Sequence, residues 1–582
     1  YGPLGAPPPA REPLAMQEGA AGRGAAGPED FSGTNVQEAG VDEPDIVKTD
    51  GKHLFAMAAG KLRAVDVSGV APRRVDTLRI GSRYIDHALL LRGDRLLVLS
   101  GSQDEDVLLS RLASRVGAGP SKTVLSEVDV SNPAAMRIVR TLTVEASYVS
   151  ARLTGGTARV VLSAPASDVG IPEEYKLKAG EFQEARRRNR AALARSPLSR
   201  WLPSYVLRNR RTRSKVTLPL VDCRSVRRTT AFSGLDMLAV LTIDLDEGLT
   251  PTDADALMTD AQTVYASRRS LYVATPRWVE EETSLERQAR GMTTQIHRFD
   301  VSAPRATSYR SSGRVRGFLL NQFSLSAHAG RLRVASTTEP VWSEGGRDRR
   351  SQSFVTVLAE DGRRLVRVGR VGGLGRGERI YSVRFMGDTG YVVTFREVDP
   401  LYTLDLSRPR SPRVLGALKI RGYSAYLHPA GDDLLIGVGQ DATRSGRALG
   451  TQLSLFDVSD LRNPRRLHRR TIADATSEVE FDHHAFLWWR PAGLAVVPVG
   501  PGFGEALRPG SFTGAVGFRI GRRTGVWEAG RIAHWSRRGV SSVRRSIVVG
   551  NRLYTLSDAG VAANDVWSLA RLGFASFRRA RR

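Results

Sequence analysis

One strand ending recurs along this chain and restricts its fold more than any other feature. Asp129-Val130-Ser131-Asn132-Pro133, Asp300-Val301-Ser302-Ala303-Pro304, Asp405-Leu406-Ser407 and Asp457-Val458-Ser459 each close a short apolar run. Asp and Ser side chains at such a point can bond the turn backbone, and Pro stops a ladder because it has no N–H to give. Around each ending lie further short runs separated by Gly or Asp turns, the pattern of consecutive hairpins. In the first unit Asp45-Ile46-Val47-Lys48 reaches the turn Asp50-Gly51, and Leu54–Ala58, Leu62–Val67 and Val75–Ile80 follow as strands two to four. Strong copies span His87–Val144, Val264–Val315, Ile380–Ile420 and Tyr423–Ile472, and weaker ones begin near Tyr148, Phe323, Ala485 and Ser546.

Four strands every roughly 40–60 residues are the signature of β-propeller blades. Nine units can be counted, the last incomplete. The expected architecture is therefore a single all-β propeller of eight or nine four-stranded blades, depending on whether the terminal strands complete one blade together. Two stacked β-sandwiches would lack the recurring third-strand ending. Length agrees with a repeat: 582 residues exceed what one compact core holds, whereas stacked units each bury a face against their neighbours. The longest apolar runs, His87–Leu91 and Ala495–Val499, are strand-sized, and a membrane helix needs about 20 such residues.

The repeats divide the chain. Tyr1–Asp30 is rich in Gly, Ala and Pro and is expected to be a disordered tether, of the kind left when an export signal is removed. Residues 31–576 form the propeller and 577–582 a basic tail. The third blade is interrupted between Val160–Ser163 and Leu238–Asp244 by an insertion over about 165–235. Within it Pro172–Lys215 carries thirteen Lys and Arg against four Glu, and Glu181–Arg195 has the composition of an amphipathic helix. Inserts between blade strands map to one face of a ring and often bind, which makes Arg186, Arg187 and Arg188 candidate ligand contacts. The plainer alternative is a solvated basic helix capping that face, with Trp201-Leu202-Pro203 docking it on the ring.

Longer blocks carry a resemblance. Phe31-Ser32-Gly33-Thr34-Asn35-Val36-Gln37 and Gly40-Val41-Asp42-Glu43-Pro44-Asp45-Ile46-Val47-Lys48-Thr49-Asp50-Gly51 are similar to the opening signature of the secreted bacterial and archaeal β-propeller proteins distantly related to WD40 repeats. Tyr381-Ser382-Val383-Arg384-Phe385, Asp399-Pro400-Leu401-Tyr402, Tyr426-Leu427-His428-Pro429 and Asp482-His483-His484-Ala485-Phe486 agree, and the likeness runs from about Phe31 to about Leu569. The resemblance implies a propeller exported to the cell envelope or beyond. It implies no reaction.

The formal net charge of +26 attracts polyanions. Because the excess is spread along most of the chain, and propellers are not typical nucleic-acid modules, a partner protein or an anionic envelope polymer is expected ahead of nucleic acid. The lone Cys223 permits no internal disulfide and has no neighbouring His to activate it.

Three constellations offer chemistry. Asp42, Glu43 and Asp45 cluster before the first strand and have the hard oxygens that Ca²⁺ prefers, although not at EF-hand spacing; turn capping and ion pairs with Arg are the alternative. Asp482, His483 and His484 precede a late blade and could ligate a transition metal, or hydrogen-bond between strands to fix blade geometry. Arg384, Arg396 and Asp399 sit in the block of strongest resemblance, suited either to grip an anionic ligand at the channel mouth or to pair between blades. No Gly-x-Ser-x-Gly, His-Glu-x-x-His, phosphate loop or paired-Cys zinc signature is present. The expected function is a monomeric, non-catalytic binding scaffold. The alternative is a hydrolase of extracellular glycans or other polymers that uses channel-facing carboxylates such as Asp42, Glu43 or Asp399, which would have to converge as a pair.

Overall fold

The computed structural model describes residues 31–578 apart from 84, 102–121, 166–181, 230–233, 235, 261, 278–291, 339–350, 396–398, 432, 444–446, 502–510 and 537–538. Nearly every element is a strand. Among the described residues nine four-stranded antiparallel units follow one another, over 47–79, 87–144, 147–258, 263–316, 325–374, 379–420, 423–473, 487–532 and 543–576. We number these blades 1 to 9. The ninth, expected to be incomplete, has four strands of its own (Val543–Val549, Arg552–Ser557, Gly560–Asp565 and Arg571–Ser576), so no blade is shared between the two ends of the chain.

Neighbouring side chains on one strand point to opposite faces, so a sheet clamped between two others needs apolar residues at every position. That is why the inner strands read as continuous apolar runs rather than alternating ones. Leu89 packs with Phe55 and Leu62 of blade 1, and the next residue, Leu90, packs with Leu153 and Leu162 of blade 3. Val496 faces Val548 of blade 9, while Val497 faces Leu453 of blade 7. Nine buried clusters join consecutive blades in this way, and the one uniting Ile547, Tyr554 and Leu556 of blade 9 with Val47, Leu54 and Val65 of blade 1 closes the ring.

The recurring ending is a turn device. In Asp66-Val67-Ser68, and again at Asp129, Asp300, Asp405 and Asp457, the aspartate Oδ1 accepts from both the backbone N–H and the hydroxyl of the serine two residues on. The apolar residue between them is buried, and its N–H donates to the turn before strand two, as from Leu406 to Asp388 O and from Val458 to Asp433 O. The turn then leans on the outer strand of the preceding blade. A Cβ on Gly369 would lie 2.1 Å from Pro409 O, and one on Gly416 would lie 2.6 Å from Leu461 O. Only glycine allows that approach.

The insertion behaves differently from the expectation that it caps one ring face. Helix α1 (Phe182–Arg195) forms where an amphipathic helix was expected, but the segment after it supplies a hairpin, Ser204–Asn209 with Ser214–Pro219. The hairpin pairs antiparallel with the outer strand of blade 2, Arg137–Val144, extending that sheet to six strands at the rim. Val226–Arg228 then pairs parallel with the outer strand of blade 3. An outer strand offers a row of unpaired backbone groups, which an insert can satisfy more completely than a face of loops can. Tyr205 is buried by this docking, and Leu202 and Leu207 pack against the core between blades 2 and 3. The 1–30 tether and the last four residues of the basic tail lie outside the described residues.

Candidate functional site

The first strands of the blades face the middle of the ring, and residues 31–45 are laid along them. Phe31 bridges Val549, and Ser32 N donates to Val548 O at 2.8 Å on blade 9. Asn35 Nδ2 then donates to His483 O (2.7 Å) before blade 8 and to Tyr426 Oη (2.8 Å) of blade 7. Gln37 Nε2 donates to Leu325 O (2.9 Å) of blade 5, and Glu38 Oε1 accepts from Tyr265 Oη (2.6 Å) of blade 4. Asp42 exchanges two backbone bonds with Leu153 of blade 3, and Asp45 does the same with Leu89 of blade 2. The strap thus visits blades 9, 8, 7, 5, 4, 3 and 2 in chain order before becoming blade 1.

Its carboxylates go to separate partners because the strap is extended and successive side chains diverge. Lys48 Nζ donates to Asp42 Oδ1 (2.6 Å) and to Glu43 O (2.7 Å). Asp45 Oδ1 accepts from Arg545 Nε (2.7 Å) of blade 9. The same guanidinium donates to Glu478 (3.0 Å) and to Asp482. Burial works against the charge of Arg545, but Asp45 foremost, then Asp482 and Glu478, outweigh it and raise its pKa further.

Glu43 is the strap carboxylate that meets imidazoles. Its Oε2 lies 3.1 Å from His483 Nε2 and 3.7 Å from His484 Nε2, and it also accepts from Gln322 Nε2 (3.0 Å). Gln322 Oε1 accepts in turn from the buried Arg152 (2.8 Å) of blade 3. Burial disfavours the anion of Glu43, yet the Arg152 guanidinium first, and then His483, hold its pKa well below the usual carboxylate range. The two histidines are set by a single 3-10 turn, His483–Ala485, whose N-cap Asp482 accepts from His484 N (3.0 Å). His484 Nδ1 donates to Asn35 O at 2.7 Å. The edge of Phe323 stands against His483 with 4.9 Å between ring centroids. Burial pushes the pKa of His483 down, and pushes that of the neighbouring His428 well down.

Of the expected residues, the structure brings Glu43, His483 and His484 together, one potential ligand atom from each lying within 4.8 Å of the others. It does not bring Asp42, Glu43 and Asp45 together into an oxygen cage, because Lys48 and Arg545 claim the two aspartates. Asp482 orients the turn and pairs with Arg545. Arg384 lies on the first strand of blade 6 with its guanidinium 5.4 Å from the Phe323 ring centroid, and its buried Nη1 has no hydrogen-bond partner among the described residues. Arg396 and the side chain of Asp399 lie outside the described residues. Arg186, Arg187 and Arg188 stand exposed on α1, where Arg188 pairs with Glu184 (3.8 Å). Sequence reasoning missed Arg152, Arg545, Gln322, Glu38 and Tyr265; Arg152 and Arg545 are two among 86 Lys and Arg, and nothing local marks them.

The model of a family described as "Beta propeller domain" matches residues 31–569, beginning where the strap begins. An uncharacterized protein of Methanocaldococcus jannaschii is 29% identical over 495 residues, covering 79% of this chain and 72% of its own. An uncharacterized protein of Archaeoglobus fulgidus is 42% identical over 186 residues, covering 32% of this chain and 27% of its own length. Among solved structures, the computationally designed Ika8 protein is 7% identical with TM-score 0.33, covering 81% of this chain and 94% of its own. Chaetomium thermophilum Sqt1 is 10% identical with TM-score 0.35, covering 58% and 77%.

Proposed function

This chain belongs to the β-propeller domain family, and from that premise we propose that it is a non-catalytic scaffold whose basic rim binds an anionic polymer or the acidic surface of a partner protein. The observation that carries this reading is the docked insertion. Over Phe182–Arg228 it has fourteen Lys and Arg against two acids, Glu184 and Asp222. Arg186, Arg187, Arg188 and Arg190 are exposed on α1, and Arg208, Arg210, Arg211, Arg213 and Lys215 are exposed on the hairpin docked on blade 2. An array of one sign attracts a polyanion, and the docked hairpin presents its charges with little ordering cost to the protein.

Of the acids the hydrolase alternative names, Asp42 is paired with Lys48 and Glu43 with His483 and Gln322, while the side chain of Asp399 lies outside the described residues; a hydrolase needs two such acids to converge as acid and base. Among the described residues no helix is long and apolar enough to cross a membrane. We take the site of action to be the cell envelope or beyond, as the resemblance of the opening signature implies.

The test is retention of the full chain on a sulfated polysaccharide against a neutral dextran of the same size. Salt-dependent binding to the first alone is expected, weakened at least tenfold in the triple variant R186E/R187E/R188E. Equal binding to both matrices, or no change in the variant, contradicts the proposal. Release of reducing ends from the polysaccharide would favour the hydrolase.

A further inference from the structure

We propose that Glu43, His483 and His484 form a site for one divalent transition-metal ion of the zinc class, which pins the strap to blade 8 at the centre of the ring. The proposal stands apart from polymer binding at the rim and uses none of its residues.

Donor chemistry selects the ion. Two imidazole nitrogens and one carboxylate suit Zn²⁺ and its first-row neighbours, whereas Ca²⁺ requires six or more oxygens and would find one carboxylate here. Spacing from the carboxylate agrees. Ligand bonds of 2.0–2.2 Å in a tetrahedral site put donor atoms about 3.3 Å apart, the separations from Glu43 Oε2 to the two Nε2 atoms are 3.1 and 3.7 Å, and all three ligand atoms lie within 4.8 Å of one another.

The tautomer of His484 makes the stronger argument. A carbonyl only accepts, so the 2.7 Å contact between Nδ1 and Asn35 O places the proton on Nδ1. With Nδ1–H committed to Asn35 O, Nε2 is the ring nitrogen left to face the Glu43 carboxylate, and Nδ1–H donation to a backbone carbonyl is the usual second-shell arrangement of a metal-binding histidine. His483 has its own Nε2 on the same carboxylate oxygen. The cluster is also pre-set: Asp482 caps the turn bearing both rings, Asn35 bonds both His484 Nδ1 and His483 O, and Gln322 steadies the carboxylate.

Fixed charge around the cluster is balanced, with Glu38, Asp42, Glu43, Asp45, Glu478 and Asp482 facing Lys48, Arg152, Arg333, Arg384, Arg544 and Arg545, so donor chemistry and geometry, not net field, select the ion. Three protein donors leave a coordination position open, next to Tyr426 and the Phe323 edge.

The test uses the full chain, stripped with chelator and dialysed, then titrated with Zn²⁺ by calorimetry and with Co²⁺ by visible absorption. Uptake of one equivalent per chain is expected, with Co²⁺ bands of a low-symmetry nitrogen and oxygen site. H484A, H483A and E43Q should each weaken Zn²⁺ more than the 10–100-fold that losing a mere second-shell partner costs. Should one of these fail to fold, H484Q retains an amide able to donate to Asn35 O and serves in its place, while the Co²⁺ spectrum of the unaltered chain requires no variant. No stoichiometric uptake by the folded wild-type chain, or undiminished uptake by folded variants, overturns the assignment.

Discussion

Arg545 Nε donates to Asp45 Oδ1 over 2.7 Å, joining residues 500 positions apart with both side chains all but excluded from solvent (3% and 0% exposed). The pair ties the start of blade 1 to the inner strand of blade 9, and through Asp482 to blade 8 as well. It therefore does in charge what the blade 9–blade 1 apolar cluster does in packing: it closes the ring.

Removing the cation should be costly. Arg545→Ala leaves Asp45 buried without a counter-charge and Asp482 and Glu478 without their shared donor, a loss of about 3–5 kcal/mol by analogy with other broken buried pairs. Arg545→Lys should recover only part, because an ammonium cannot present the guanidinium fork to three acceptors. Urea unfolding of both variants checks this; a loss below about 1 kcal/mol for the alanine would show that the pair is screened.

Close approach between blades gives a second expectation. Gly416→Ala places a methyl 2.6 Å from Leu461 O, a backbone atom that cannot swing aside, and should cost about 1–3 kcal/mol as overpacking does. The same change at Gly550, where a Cβ would meet nothing within 4 Å, leaves contacts untouched but sits at φ +54°, so it reports backbone strain alone. Comparing the two melting temperatures separates the effects.

Two buried histidines should make the ring acid-sensitive. Burial pushes His297 and His534 from 6.5 down to about 4. The unfolded chain binds their protons first, so the stability they confer is complete above pH 6.5 and is lost as pH falls toward 4. At the bottom of that window each contributes a loss of roughly 3 kcal/mol at most. Denaturant midpoints measured across the window should fall, and fall less in His297→Phe. A pH-independent midpoint contradicts the burial of these rings.

The recurring turns should titrate lower still. Asp129 and Asp405 are held below 3.8, chiefly by the hydroxyls of Ser131 and Ser407, then by Arg137 and Arg413. Ser407→Ala should raise the Asp405 pKa toward that value, as carboxyl NMR titration would read, with a stability change within about 1 kcal/mol because the turn is exposed.

The blades were legible because a repeat amplifies weak local signals. Asp405-Leu406-Ser407 alone says little; four such endings within a run of hairpin units identify a propeller, and every inferred unit begins within a few residues of an observed blade. The strap was not legible. Residues 31–45 have no internal periodicity, and their structure depends on partners hundreds of residues away, such as Tyr265, Leu325 and His483. Asp42, Glu43 and Asp45 looked like one cluster because sequence proximity hides the divergence of side chains along an extended chain. The hairpin of Ser204–Asn209 with Ser214–Pro219 was also missed, although Tyr205, Val206, Val216 and Thr217 favour strands, because the Arg and Lys around them read as a basic surface; it pairs with the outer edge of blade 2.

Amide hydrogen exchange across the strap tests the central claim most directly. If residues 31–45 are locked inside the ring, the amides of Ser32, Asp42 and Asp45, which donate to Val548 O, Leu153 O and Leu89 O, will exchange as slowly as those of the inner blade strands. Exchange as fast as that of solvent-exposed turn amides outside the ladders would mean that the ring stands without its strap, and would contradict this account.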